Sequence, residues 1–161
     1  MFDQLVAANR HYAERSDVAG LPREPAQRLL VLTCMDARID TLAILGLRPG
    51  DAHVLRNAGG RVSEDAIRSM LVSTRLLGVT NIVVMHHTGC GMADISGRDA
   101  KVLFSDIAEE HLEFFDLLAI EDQQQALRDD VIAVRESPLL PPVEVAGFLY
   151  NVDNGRTERV V

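Results

Sequence analysis

Cys34-Met35-Asp36-Ala37-Arg38 and His87-Thr88-Gly89-Cys90 hold the residues of this chain best suited to chemistry. Together they offer two thiols, an imidazole and a carboxylate, a complete four-ligand set for zinc, with one guanidinium besides. The chain has only two cysteines, and one sits in each segment. Two Cys and one His leave a fourth position, which Asp36 could close or water could keep open for catalysis. A bidentate Arg38–Asp36 pair would compete with the metal for that carboxylate. On zinc, Asp36 blocks water; on Arg38, it frees the metal and can accept a hydrogen bond from zinc-bound hydroxide. Zinc lowers the pKa of bound water to about 7. Two thiolates donate charge and weaken that effect, so an alkaline optimum is expected. The electrophile must be small, because little sequence remains to build a large pocket.

Blander readings exist for each residue alone. A single buried cysteine is usually a small hydrophobe. Asp36 could cap the helix that follows, and Arg38 could be a surface residue. His87 is preferred over His86 because its spacing to Cys90 places both on one turn; His86 reads as a packed or supporting histidine. His11, His53 and His111 read as structural or solvent-exposed. Gly59-Gly60 could be a simple turn, or could allow close backbone approach as part of the substrate pocket.

The elements that must position these residues can be read in order. Residues 3–15 form an amphipathic pattern, with Leu5, Ala8, Asn9 and Tyr12 at helical spacing. Leu29–Thr33 is a continuous apolar run, as for a strand buried on both faces, and its end delivers Cys34. A short helix is expected over 39–45, stopped by Gly46, then a strand over 52–56. Ser63 is a good N-cap for a helix whose apolar stripe is Ile67, Met70, Leu71, Thr74 and Leu77, ended by Gly78. Residues 81–86 form a third strand, which delivers His87. Helical patterns return at about 100–118 and 121–134. A fourth strand over 143–152 turns at Asp153-Asn154-Gly155 into a short fifth strand, 157–161.

Strands alternating with helices predict an α/β fold. The expected sheet is mainly parallel, about four strands plus a short antiparallel edge strand, flanked by helices. Ligands in such sheets bind at the carboxyl ends of the strands, at a topological switch point. If the first and third strands are neighbours, Cys34 and the His87/Cys90 pair lie across one crevice there.

Length and composition set the bounds. A chain of 161 residues is most simply one domain, 1–161, and 47% hydrophobic with 25% charged residues is ordinary for a globular protein. The net charge of −8 and fifteen scattered Arg with a single Lys argue against nucleic-acid binding. No apolar run approaches the ~20 residues of a membrane span, and the N-terminus does not read as a signal peptide, so a cytoplasmic location is expected.

The residues also carry a resemblance. Cys34-x-Asp36-x-Arg38, then Arg56-Asn57-Ala58-Gly59-Gly60, then His87-Thr88-Gly89-Cys90-Gly91 resembles the beta class of carbonic anhydrases, over nearly the whole chain in order and spacing. The short length is similar to the compact prokaryotic branch. The resemblance implies one zinc ion per chain, held by Cys34, His87 and Cys90. It implies that Asp36 and Arg38 gate the metal and orient its hydroxide, with Asp36 on zinc in a closed state. It also implies a homodimer or larger homo-oligomer, with the N-terminal helix packed on the partner. The reaction implied is reversible hydration of carbon dioxide to bicarbonate and a proton. Phe2, Tyr12, Phe104, Phe114 and Phe115 are the candidates for aromatic pocket walls. As the runner-up, the same scaffold resembles hydrolases of carbonyl sulfide or carbon disulfide, which share the zinc site. A closed, non-catalytic zinc site and a thiol redox protein remain as alternatives of other classes.

Overall fold

Apolar runs without alternation need cover on both faces. The computed structural model, which describes residues 1–93, 95, 102–108, 111 and 116–161, supplies that cover. Strands β1 (Leu29–Cys34), β2 (Ala52–Asn57), β3 (Asn81–His87), β4 (Glu144–Tyr150) and β5 (Thr157–Arg159) form one sheet. Their order is β2-β1-β3-β4-β5, parallel throughout except for the antiparallel β4–β5 pair. The expected α/β sheet with an antiparallel edge is therefore present.

Helices α1 (Phe2–Ala13), α2 (Thr41–Ile44), α3 (Glu64–Leu76) and α4 (Gln123–Glu136) accompany it. Leu30 and Leu32 of β1 and Ile82 and Val84 of β3 pack with Met70 of α3 and Leu127 and Val131 of α4. On the opposite face, Val31, Val83 and Met85 pack with Ile39, Met92 and Ile120. Side-chain alternation thus splits each central strand between two apolar clusters.

The starts of α2, α3 and α4 follow side-chain caps. Ser63 accepts from the Ala66 amide, Asp122 from Gln125, and Asp40 from Ala43. Capping by Asp40 delays α2 to Thr41, so it is shorter than the 39–45 pattern suggests. Capping by Asp122 likewise moves α4 two residues along from the 121–134 pattern. The fifth strand ends at Arg159, before the expected 161. Of the 100–118 pattern, residues 100–101, 109–110 and 112–115 lie outside the described residues, while 104–108 and 116–118 are turn or irregular chain rather than helix. Helix α1 buries none of its side chains: Phe2, Leu5, Val6 and Tyr12 are all more than half exposed.

Strand register places the ends of β1 and β3 together, with Leu32 opposite Val84 and Thr33 opposite Met85. Beneath them runs the 3₁₀ turn Ala58–Gly60. Gly60 has φ +68°, and a Cβ there would lie 2.9 Å from Cys34 N and 3.2 Å from Met85 O. Backbone atoms of two central strands cannot yield as a flexible side chain would. Gly60→Ala is therefore expected to cost about 2–4 kcal/mol, from overpacking plus the left-handed φ. Urea denaturation of the metal-free protein checks this; an unchanged midpoint would show that the turn can move away.

Candidate metal centre

β1 ends on Cys34 and β3 on His87. Gly89 then takes φ +59°, which lets the chain turn and bring Cys90 back beside them. All three side chains are buried. Their ligand atoms lie within 4.8 Å of one another, and the Cys34 and Cys90 sulfurs are 3.9 Å apart. Two thiolates at ~2.3 Å from a tetrahedral zinc stand roughly 3.8 Å apart, so the sulfur spacing fits that ion. It is far longer than the ~2.05 Å of a disulfide, and both thiols are free.

The imidazole is set for a metal as well. His87 Nδ1 is 2.9 Å from the Thr88 carbonyl. A carbonyl only accepts, so Nδ1 carries the proton and the Nε2 lone pair is left free. Nε2 is buried and has no hydrogen-bond partner. Burial also lowers the His87 pKa, which favours the neutral ring a metal requires. Burial pushes the Cys90 thiol up to about 11, with Cys34 beside it adding to the effect. A dication held by Cys34, His87 and Cys90 would reverse that preference and favour both sulfurs as thiolates.

Asp36 stands at the mouth of this group. Its Oδ2 is 3.9 Å from His87 Nε2. Arg38 donates from Nε to Oδ1 at 2.9 Å and from Nη2 to Oδ2 at 2.7 Å, and its amide donates to Oδ1 at 2.9 Å. These hydrogen bonds hold the Asp36 carboxyl well below the usual carboxylate range. Arg38 Nη2 also donates to Gly89 O at 2.9 Å, joining the Asp36 segment to the His87–Cys90 turn. The carboxylate is thus paired with Arg38, and the three clustered ligand atoms come from Cys34, His87 and Cys90.

A cavity of about 480 Å³ opens beside the sulfurs, walled by Met35, Ala37, Gly59, Met92 and Ile95. Of the two glycines, Gly59 lines it, while Gly60 is packed against strand backbone. Among the described residues, Phe2, Tyr12 and Phe104 do not line it; Phe114 and Phe115 lie outside the description. A larger groove of about 690 Å³ between α3 and α4 is lined by Ile67, Leu71 and Leu139. Size does not select the site: among the described residues, that groove holds no cluster of three metal-ligating groups.

The sequence profile of the carbonic anhydrase family matches residues 29–131. Beta-carbonic anhydrase 1 of Mycobacterium tuberculosis is 35% identical over 168 residues, covering 98% of this chain and 96% of the relative. The chain belongs to the beta-carbonic anhydrase family. A carbon disulfide hydrolase of Acidianus is 34% identical over 166 residues, covering 88% of this chain and 80% of that one. The solved carbonic anhydrase of Streptococcus mutans superposes with a TM-score of 0.93 at 38% identity, covering 99% of this chain and 97% of that one. The expected family and the expected enzyme class both hold.

Within this beta-carbonic anhydrase fold, the adjacent histidines part company. His87 joins the cysteines, whereas His86 points to the opposite face of β3 and is fully buried. Its Nε2 is 3.0 Å from Asp130 Oδ2, and Gln123 Nε2 is 3.0 Å from its Nδ1. The carboxylate accepts from Nε2–H, so Nδ1 accepts from the amide. Arg61 completes the group, donating from Nε to Asp130 at 2.6 Å and from Nη1 to the Leu118 carbonyl at 2.7 Å. This ion network has no local sequence signal, because 69 residues separate its two charges. His53 is a structural tie, between Ser73 Oγ and the Arg23 carbonyl, while His11 and His111 are exposed. Met35, Met92 and Ile95 also escape sequence reading as cavity walls, since apolar residues after a strand end carry no mark of the ligand they face.

Proposed function

We propose that this chain is a zinc enzyme that hydrates carbon dioxide reversibly to bicarbonate and a proton. The observation that carries the reading is the free, buried Nε2 of His87 beside two free sulfurs at zinc spacing. Cys34, His87 and Cys90 hold one zinc ion per chain. Zinc supplies a Lewis acid that makes hydroxide available from water near neutral pH.

The chain's own residues do the rest. Asp36 Oδ2 remains an acceptor while paired with Arg38, and it would orient the attacking oxygen by accepting a hydrogen bond from it. Arg38 keeps that carboxylate away from the metal. The apolar walls Met92 and Ile95 offer a small uncharged substrate an apolar surface beside the sulfurs. Arg38→Ala removes the carboxylate's partner and is expected to place Asp36 on the metal. Hydration should fall roughly ten- to a hundredfold with zinc content unchanged. Full activity in that variant would refute the gate.

The whole chain acts as one domain, a reading supported by the single sheet with cover on both faces. The exposed apolar side of α1 supports packing on a second copy, giving a homodimer or a multiple of it. Two unbridged cysteines used as ligands suit the reducing cytoplasm.

A second reading, hydrolysis of carbon disulfide or carbonyl sulfide at the same site, is favoured by the Acidianus relative and by the apolar cavity walls. The deciding experiment is stopped-flow carbon dioxide hydration on zinc-quantified protein across neutral and alkaline pH. Activity that rises with pH at one zinc per chain is the expected result. Stoichiometric zinc without hydration transfers the assignment to the sulfur substrates, and inactivity on those as well leaves a closed structural site.

A further inference from the structure

Arg56 sits on the outer strand β2, opposite Thr33 in the register, and its side chain is exposed. It makes no ion pair among the described residues. Its guanidinium instead spans two main-chain carbonyls of the neighbouring strand end. Nε donates to Cys34 O at 3.0 Å, and Nη2 donates to Asp36 O at 2.6 Å. Those carbonyls belong to Cys34 of the metal-ligand cluster and to Asp36, two positions apart.

We propose that Arg56 is a positioning residue that fixes the Cys34–Asp36 backbone, so that the sulfur and the carboxylate keep their places at the metal. The proposal rests on the reading of this site as a zinc hydration centre. The two arginines divide the work: Arg38 holds the Asp36 side chain, and Arg56 holds its main chain. The segment has other supports, since the Met35 amide donates to Asn57 O at 2.9 Å and the Ile39 amide to Asp36 O at 3.1 Å. Neither of them reaches Cys34 O. Among the described residues, the forked guanidinium is the one side chain that bonds the carbonyls of both Cys34 and Asp36.

The bridge depends on the fork of the guanidinium. A guanidinium presents planar donors at fixed separation, whereas an ammonium is a single point of charge on a flexible stem. Lysine at 56 retains the charge and one hydrogen bond and loses the bridge. An exposed side chain that only satisfied carbonyls would be replaceable by water, with little effect on the metal.

Zinc-loaded wild type, Arg56→Gln and Arg56→Lys are compared for zinc release to a chelating indicator, for kcat and KM, and for thermal midpoint. Both variants are expected to release zinc roughly tenfold or more faster, the scale at which groups supporting a metal ligand act. kcat should fall with KM nearly constant, and the midpoint of the metal-free protein should stay close to wild type. Wild-type zinc release in Arg56→Gln overturns the proposal, and so does full rescue by Arg56→Lys, which would reduce the role to charge. Faster zinc release in the variants, alongside a wild type that holds zinc but hydrates no carbon dioxide, supports the positioning role and refutes only the hydration reading.

Discussion

Cys34→Ser and Cys90→Ser proteins will emerge with zinc reduced from about one ion per chain to under roughly a tenth of that, and with no measurable hydration. Serine preserves size and shape at both buried positions, so packing alone would survive the change. What disappears is the thiolate. A hydroxyl does not ionise near neutral pH, and the remaining pair of ligands cannot enclose the ion. His87→Ala should give the same result by deleting the free Nε2. Metal analysis reads the loss directly. Thermal unfolding supplies a second readout: added zinc raises the wild-type midpoint by mass action and leaves the variants unmoved. A variant that kept stoichiometric zinc would remove its residue from the ligand set.

The other large effect is on stability, away from the metal. Asp130→Ala is expected to destabilise the fold by about 3–5 kcal/mol, the usual cost of stranding one partner of a buried ion pair. Arg61 is 12% exposed and His86 fully buried, so neither can turn to water when the carboxylate is gone. The Val62 amide, which donates to Asp130 Oδ1 at 3.1 Å, is orphaned as well.

The same carboxylate has a pH signature. Burial pushes its pKa up, and hydrogen bonds from His86 and Arg61 outweigh that, so the net value is lowered. A group with a depressed folded pKa stabilises fully above its unfolded value, near 3.9 for Asp. That contribution fades as pH falls through the lower folded value. Wild type should therefore lose stability in acid, and Asp130→Ala should lose less over the same window. Urea titrations at neutral and at acid pH measure both slopes; parallel slopes would contradict the assignment.

How far the sequence reached depends on the range of each interaction. Cys34 and His87 were legible because continuous apolar runs end on them, and a parallel sheet brings such ends together. Asp36 and Arg38 were legible because a single residue separates them, within reach of one local pairing. Arg56 carried no role until β2 stood beside β1. Gly59 and Gly60 looked equivalent as a pair, yet only packing shows that one lines the cavity against the Arg61 and Met92 side chains and the other touches strand backbone. Asp130, His86 and Arg61 come from an α-helix, a strand and a loop. No periodicity links them, and only the assembled core makes their charges meet. Helix limits shifted where a capping aspartate, Asp40 or Asp122, delayed the first turn.

The two neighbouring histidines of β3 carry a hazard of mispairing. Ile82 to Met85 are apolar at every position, so greasiness alone does not forbid the strand from sliding by one residue. Such a slide would present the wrong imidazole to the cysteines, in a decoy that still looks well packed. Correct alignment therefore depends on chemistry at the end of the strand. Asp130 and Gln123 hydrogen-bond one ring and the other lies beside the two sulfurs, so a slide by one residue would set Met85 against Asp130 or Thr88 against the sulfurs. On this view the buried ion network is a proofreading device: it costs apolar packing in the core and in return makes the chain choose one alignment.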